Sequence, residues 1–259
     1  MYGEEKCVVM FGGLHIEMAA LKTLGDWLQG SGWVKALIQA GIATAGTANS
    51  FLHCAHVTRS RYAHQVTVAA LYILQNRAYN NRNTESKDSF LGFDEWCSKR
   101  VEKYPQFQYW ATVMALEISL LVYVRSLRES SFTSYIDALT ELVPWFFALD
   151  HTNYARWIPV HLRDMSELPT KHPDVAREFE AGNFTIRKTK RAFSAIAIDQ
   201  AHEQNNAYIK GDGGVVGLTD NPSALRRWMV AGPEVTSLIG DFENSNQFTH
   251  TTQEKKASS

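Results

Sequence analysis

The residues with the clearest chemical potential lie in one short stretch, Phe193 to Asn221. Within it, Asp199, Glu203, Asn206 and Lys210 are spaced i, i+4, i+7 and i+11. On a helix starting near Ile198 that spacing puts all four on one narrow stripe. Carboxylates and amides on one stripe can bind a divalent cation or move a proton. The same pattern also describes a solvated helix face. The helix then meets Gly211-Asp212-Gly213-Gly214, where glycine's access to the left-handed conformation ends helices. This turn lacks the GK[ST] ending of a P-loop and follows a helix rather than a strand, so it does not read as a nucleotide site.

Other candidates are scattered. His15 and Glu17 follow Gly12-Gly13 at a predicted strand end, where α/β proteins place ligands. Glu17 reads either as a metal carboxylate or as a charge favoured by the first helical turn. His53, Cys54 and His56, with His64 nearby, lack the second ligand pair that a zinc site needs. On a helix from Asp150 to Met165, Trp157, His161 and Asp164 share one face, and a His–Asp pair can orient an imidazole for acid–base work. Arg156 and Arg163 share another face and are spaced to touch two phosphates. The run Ile186 to Arg191 (IRKTKR, with Lys188 and Lys190) lies beside Phe184 and Phe193, and Arg226-Arg227-Trp228 forms a second cluster. Basic–aromatic clusters suit phosphate contact and base stacking, and they also occur as plain solvated surface.

The elements that must position these residues are mostly helices. The chain has 259 residues, 45% hydrophobic and 20% charged, with net charge −1, enough for one large core and too balanced for a globally basic nucleic-acid binder. Cys7, Cys54 and Cys97 form no disulfide framework, which fits a reducing compartment. No signal peptide is evident at the start. The apolar run Tyr109–Val124 contains Glu117 and is shorter than the ~20 residues of a membrane span, so it reads as a core helix. Cys7–Gly13 reads as a short strand. Helices are expected over His15–Leu28, Trp33–Ala40, Phe51–Asn80, Phe93–Lys103, Phe107–Arg128, Phe132–Leu149 (bent at Pro144), His151–Met165 (kinked at Pro159) and Pro173–Ala181. In the Phe51–Asn80 helix, Tyr62, Val66, Ala69, Ala70 and Ile73 repeat at helical spacing. Ala43–Ser50 reads as a loop, Phe184–Thr189 as a strand, Phe193–Ile198 as either another strand or the lead into the helix from Ile198, and Pro222 as the first turn of a last helix. The fold expected is mainly α with a few β-strands: one domain over 1–243 and a disordered tail over 244–259.

Three segments carry a resemblance: VVMFGGLHIEMAALKTLGDWLQGSGW, LDHTNYARWIPVHLRDM and AIDQAHEQNNAYIKGDGGVVGLTDNPSALRRWMVAGPE. They resemble a large set of uncharacterised animal proteins that occur in many copies and behave like products of mobile elements. In those proteins the corresponding segments read roughly GGFH, NHTNYARW and DQxHEQ with a Gly-Gly. The set is similar in layout to DDE-type transposases, whose RNase H-like core is interrupted by helices. In that class three carboxylates hold two divalent metals, usually Mg²⁺, for strand cleavage and transfer.

The resemblance implies that Glu203 matches the last acid, which sits on a helix, with Asp199 beside it on the stripe. Asp150 or Asp164 would be the middle acid, and Glu203 and Glu17 the metal-ligand candidates. The strand bearing the first acid would precede the GGLH segment, so the chain reads as a fragment of a longer product. It also has Leu-Asp before HTNYARW, where relatives more often carry Arg-Asn. Two-metal chemistry tolerates loss of a carboxylate poorly, so the expectation is a transposon-derived chain that has lost its activity. The alternative is a non-catalytic helical module that binds DNA or protein through Arg156, Arg163, Lys188, Lys190, Arg226 and Arg227. Neither reading invokes a small-molecule cofactor or a membrane, and both place the chain in the nucleus or cytoplasm.

Overall fold

The computed structural model describes residues 7–82, 91–210 and 222–245. The structure is 77% helical, and among the described residues there is a single two-stranded sheet, so the fold is mainly α with few strands. The chain divides into two compact units, Met1–His202 and Glu203–Ser259. The first contains α1 (Gly13–Leu28), α2 (Trp33–Gln39), α3 (Ala45–Phe51), α4 (Val57–Asn80), α5 (Phe93–Lys103), α6 (Pro105–Glu129), α7 (Phe132–Ala148), α8 (Thr152–Lys171), α9 (Pro173–Glu180), β1 (Thr185–Arg187), β2 (Ala195–Ala197) and the start of α10 (Ile198–Lys210). The second carries the rest of α10 and α11 (Pro222–Ser245). The glycine-rich turn at 211–214 and most of the expected tail lie outside the described residues.

The first unit is built around α6. Tyr104 is extended, as a residue before proline should be, and Pro105 opens the helix at a position where no N–H is needed. Ser130, at φ 58°, closes it. Around α6 pack α1, α4, α5, α7 and strand β2. The main core joins Leu21 and Leu24 of α1, Leu120 and Tyr123 of α6, and Leu139 and Phe146 of α7, all essentially fully buried. Burying each such side chain stabilises the fold by roughly 1.5–3 kcal/mol. A second core gathers Trp33, Leu37, Phe51 and Val113. Among the described residues, α6 is the one helix long and apolar enough to cross a bilayer. In the fold it is a core helix, and its Glu117 is completely buried against His64.

Close packing explains a mid-helix glycine. A Cβ on Gly25 of α1 would lie 2.0 Å from the Leu52 carbonyl oxygen, so the end of α3 can approach α1 only over a glycine.

Four expectations change. Cys7–Gly13 is not a strand: residues 7–12 lie in no regular element and Gly13 opens α1. Among the described residues β2 pairs with β1 and not with this segment, and Met10 and Phe11 pack onto the core. Ala43–Ser50 is not a loop. It is mostly α3, because Ala48 and Phe51 face the second core at helical spacing. The long helix starts at Val57 rather than Phe51, because Cys54 and His56 take φ of 54° and 67° and separate α3 from α4. Helix α8 continues past Met165 to Lys171, with Pro159 and Pro169 inside it.

The largest difference is the orientation of α4. The apolar repeat predicts Tyr62, Val66, Ala69, Ala70 and Ile73 as its core face. Instead Ser60, Arg61, Ala63, His64 and Thr67 are buried, and Tyr62 and Ile73 are 56% and 48% exposed. Two buried acids, Glu17 on α1 and Glu117 on α6, meet Arg61 and His64 and turn the polar face inward.

The strands pair as an antiparallel hairpin with Ile186 opposite Ile196. Phe184, buried beside Phe132, Tyr135 and Phe179, anchors one arm, and the fully buried Ala195–Ala197 anchors the other. Between them, Ser194 Oγ donates to the carbonyls of Thr189 and Arg191 and tightens the loop.

Candidate functional site

The first turn of α1 is where distant parts of the sequence meet. Helix starts leave backbone N–H groups without intrahelical partners. Here Asp199, from the start of α10, supplies the acceptor. Its Oδ1 accepts from the Leu14 N–H at 3.1 Å and its Oδ2 from the His15 N–H at 3.1 Å. Oδ2 also pairs with His15 Nδ1 at 2.8 Å. The carboxylate is therefore a cap delivered from 184 residues away, at the end of the helix dipole that favours negative charge.

The approach requires glycine. A Cβ on Gly12 would sit 2.3 Å from Asp199 Oδ2, and one on Gly13 would sit 2.9 Å from the Ala197 Cβ. Gly12 has φ −65°, so it is space and not backbone conformation that excludes other residues there. Two tyrosines complete the cradle. The buried Tyr123 donates to the Gly13 carbonyl at 3.0 Å, and Tyr154 to the His15 carbonyl at 3.2 Å. His151, three residues before Tyr154, pairs with Asp26 at the other end of α1 at 3.2 Å. Thus the GGLH, HTNYARW and DQ motifs converge on one helix.

Next to this turn lies a buried ion pair. Arg61 of α4 grips Glu17 with two bonds of 2.8 Å, Nε to Oε1 and one terminal nitrogen to Oε2. Burial pushes the Glu17 carboxyl above its ordinary range, with Arg61 pulling it back. Arg128 of α6 lies close enough to feel both: burial first, then repulsion from Arg61, lowers its pKa, and Glu17 opposes the shift. Cys54 is also near, and burial followed by the Glu17 charge pushes its thiol up to about 11. A thiol held there carries almost no thiolate at neutral pH and is a poor nucleophile.

A second buried pair joins His64 Nδ1 to Glu117 Oε1 at 2.8 Å, with both side chains fully buried. Trp33 stacks on the imidazole at 4.9 Å and donates its indole N–H to Thr67 at 2.8 Å. Burial raises the Glu117 carboxyl, opposed by the bond to His64. Neither Glu17–Arg61 nor His64–Glu117 is among the pairings the sequence predicts. The available signal was the polar run Ser60, Arg61, His64, Thr67 at helical spacing, which competes with the apolar repeat on the same helix.

The remaining predicted residues do not assemble. Glu203 is exposed on α10 and belongs to the second unit, whereas Asp199 belongs to the first. Asp150 is exposed at the break between α7 and α8, at φ 56°. The predicted His161–Asp164 pair does not form. His161 is 1% exposed and bonds Tyr135 Oη at 2.9 Å, while Asp164 is exposed and paired with Arg163 at 2.7 Å. Three residues apart on α8, they fall on the two sides of the boundary between core and solvent. Burial pushes the His161 imidazole down to about 4, so it is neutral near pH 7.

Among the cations, Arg156 and Arg163 are exposed on α8, and Arg226 and Arg227 are exposed on α11. Lys188 and Lys190 are exposed in the hairpin loop. Among the described residues no three His, Cys, Asp or Glu side chains are grouped to hold a metal ion. His53 and His56 are exposed, with Cys54 buried between them.

In comparison with known proteins, residues 75–259 match a family described as a domain of unknown function (DUF8702). No curated protein and no solved structure matches. The HTNYARW and DQAHEQ segments lie inside the matched region and the GGLH segment lies before it. Since the match spans well over half of the chain, the protein belongs to this DUF8702 family.

Proposed function

We propose that the chain is a non-catalytic helical module of mobile-element descent that grips the nucleic-acid backbone with its β-hairpin. The observation that carries this reading is the hairpin itself. Between buried Phe184 and buried Ala195–Ala197 it holds out Arg187, Lys188, Lys190 and Arg191, all exposed. The segment from Thr185 to Ala197 contains no acid. Phe193, 55% exposed, and Ile186, 42% exposed, add apolar surface beside the charges. A two-stranded ribbon with cations at its tip fits a DNA groove, and the apolar side chains suit contact with sugars and bases.

The strand-transfer chemistry of a DDE-type ancestor, with Mg²⁺ on Glu203, Asp199 and a middle acid at Asp150 or Asp164, is weaker for this chain. Asp199 already accepts three hydrogen bonds and Glu17 is held bidentately by Arg61, so neither presents a free carboxylate.

The test is binding to a random duplex followed by fluorescence anisotropy across salt concentrations. Four phosphate contacts give a log–log slope of about −3.6. The Lys188→Glu/Lys190→Glu double variant should bind at least about tenfold more weakly and lose roughly two from the slope. Salt-independent binding, or a double variant that binds normally, would overturn the reading. Plasmid nicking in Mg²⁺ that Glu203→Gln abolishes would restore the enzymatic one.

A further inference from the structure

We propose that the first unit contains a binding site for a neutral, apolar small molecule, in a cavity of about 780 Å³ between α2, α4 and the start of α6. Small-molecule sites typically enclose about 300–1,000 Å³ and are lined by aromatic and aliphatic side chains. This one is walled by Trp33 and Leu37 from α2, Leu71 and Leu74 from α4, and Phe107 and Trp110 from α6. Small residues leave the space open, with Ala36 and Ala40 on one side and Ala70 and Ala78 on the other.

The inverted α4 accounts for the site. With Arg61, His64 and Thr67 turned toward the core, the apolar edge of the helix is left to face the cavity. One wall is held rigid, because Trp33 is clamped between its stack on His64 and its bond to Thr67. A fixed wall reduces the ordering cost of binding.

The lining also defines the ligand. It contains no Asp, Glu, Lys, Arg or His, so an ion entering it would lose its hydration without a counter-charge. Thr67 Oγ already donates to the Ala63 carbonyl and accepts from Trp33, and Ser31 Oγ donates to the Leu28 carbonyl and accepts from the Trp33 N–H. The amides of Gln75 and Gln106, with the Tyr104 hydroxyl that accepts from Arg100, are polar groups that can orient a hydroxyl or ketone. Helix α2 offers seven residues, two turns, which is a short wall for a docked helix and an adequate one for a compact ligand.

Titration with the neutral dye Nile red, with dodecanol and dodecanoate as competitors near neutral pH, tests the proposal. One saturable site per chain is expected, with dodecanol displacing the dye at least about tenfold more effectively than dodecanoate. Ala36→Trp and Ala70→Trp, each at an exposed helical position, should each weaken dye binding by about tenfold or more by filling the space. Far-UV circular dichroism establishes that each variant retains its helix content. If either is misfolded, the alcohol–carboxylate comparison on the unaltered chain still decides. Dye binding unchanged in both folded variants would overturn the proposal. So would equal competition by the carboxylate, or dye uptake confined to a self-associated species in sedimentation.

Discussion

Replacing Asp199 by alanine separates a structural cap from a catalytic acid. The side chain is 17% exposed and accepts from two backbone N–H groups of α1 and from His15. Losing an N-cap acceptor costs about 1 kcal/mol, and losing the negative charge from the dipole end adds about 0.3–1 kcal/mol. The half-buried Leu14 N–H cannot be fully rescued by water, so the total comes to about 2 kcal/mol. In a chain of this size each kcal/mol lowers Tm by roughly 2–4 °C, which predicts a loss of about 4–8 °C. Asp199→Asn keeps the shape and one acceptor oxygen and should lose about half as much. Glu203→Ala, one turn further along α10 and exposed, is the control and should stay within about 0.5 kcal/mol. Thermal unfolding followed by far-UV circular dichroism measures all three. If Asp199→Ala and Glu203→Ala melt together with the unaltered chain, Asp199 is not the cap that holds α1, and its free carboxylate becomes available for chemistry again.

Two further perturbations probe the buried charges. Glu17→Ala strands Arg61 in the interior and should cost about 3–5 kcal/mol in urea unfolding, whereas Glu17→Leu with Arg61→Met should recover most of that loss; a double variant no better than the single would refute the pairing. His161 titrates at about 4 when folded against an ordinary 6.5, so the unfolded chain binds the extra proton between those values. Stability should therefore fall as pH drops from about 6.5 toward 4, by up to about 3 kcal/mol, and His161→Gln should flatten that slope.

Much of the architecture was legible because it is local. The helix ends at Lys103 and before Phe132, the proline-led start at Pro222 and the first arm of the hairpin all follow from short-range rules about proline, glycine and alternation. The candidate site was legible only in part. Gly12-Gly13, His151, Tyr154 and Asp199 lie in segments that stood out, but their roles did not. Glycine at 12 looked like the end of a strand and proved to be clearance for a carboxylate. Asp199 looked like half of an acidic stripe with Glu203, yet it turns to α1 while Glu203 remains exposed.

The sequence by itself determined a mainly helical chain, its central helix α6 and a basic run beside a strand, because helical periodicity and strand alternation are set by neighbours a few residues away. Only the tertiary structure decided which face of α4 turns inward. That choice rests on Glu17 and Glu117, which lie 44 and 53 residues from their partners Arg61 and His64, and an unpaired buried acid costs more than an exposed tyrosine or isoleucine. The same choice left an apolar cavity beside Trp33.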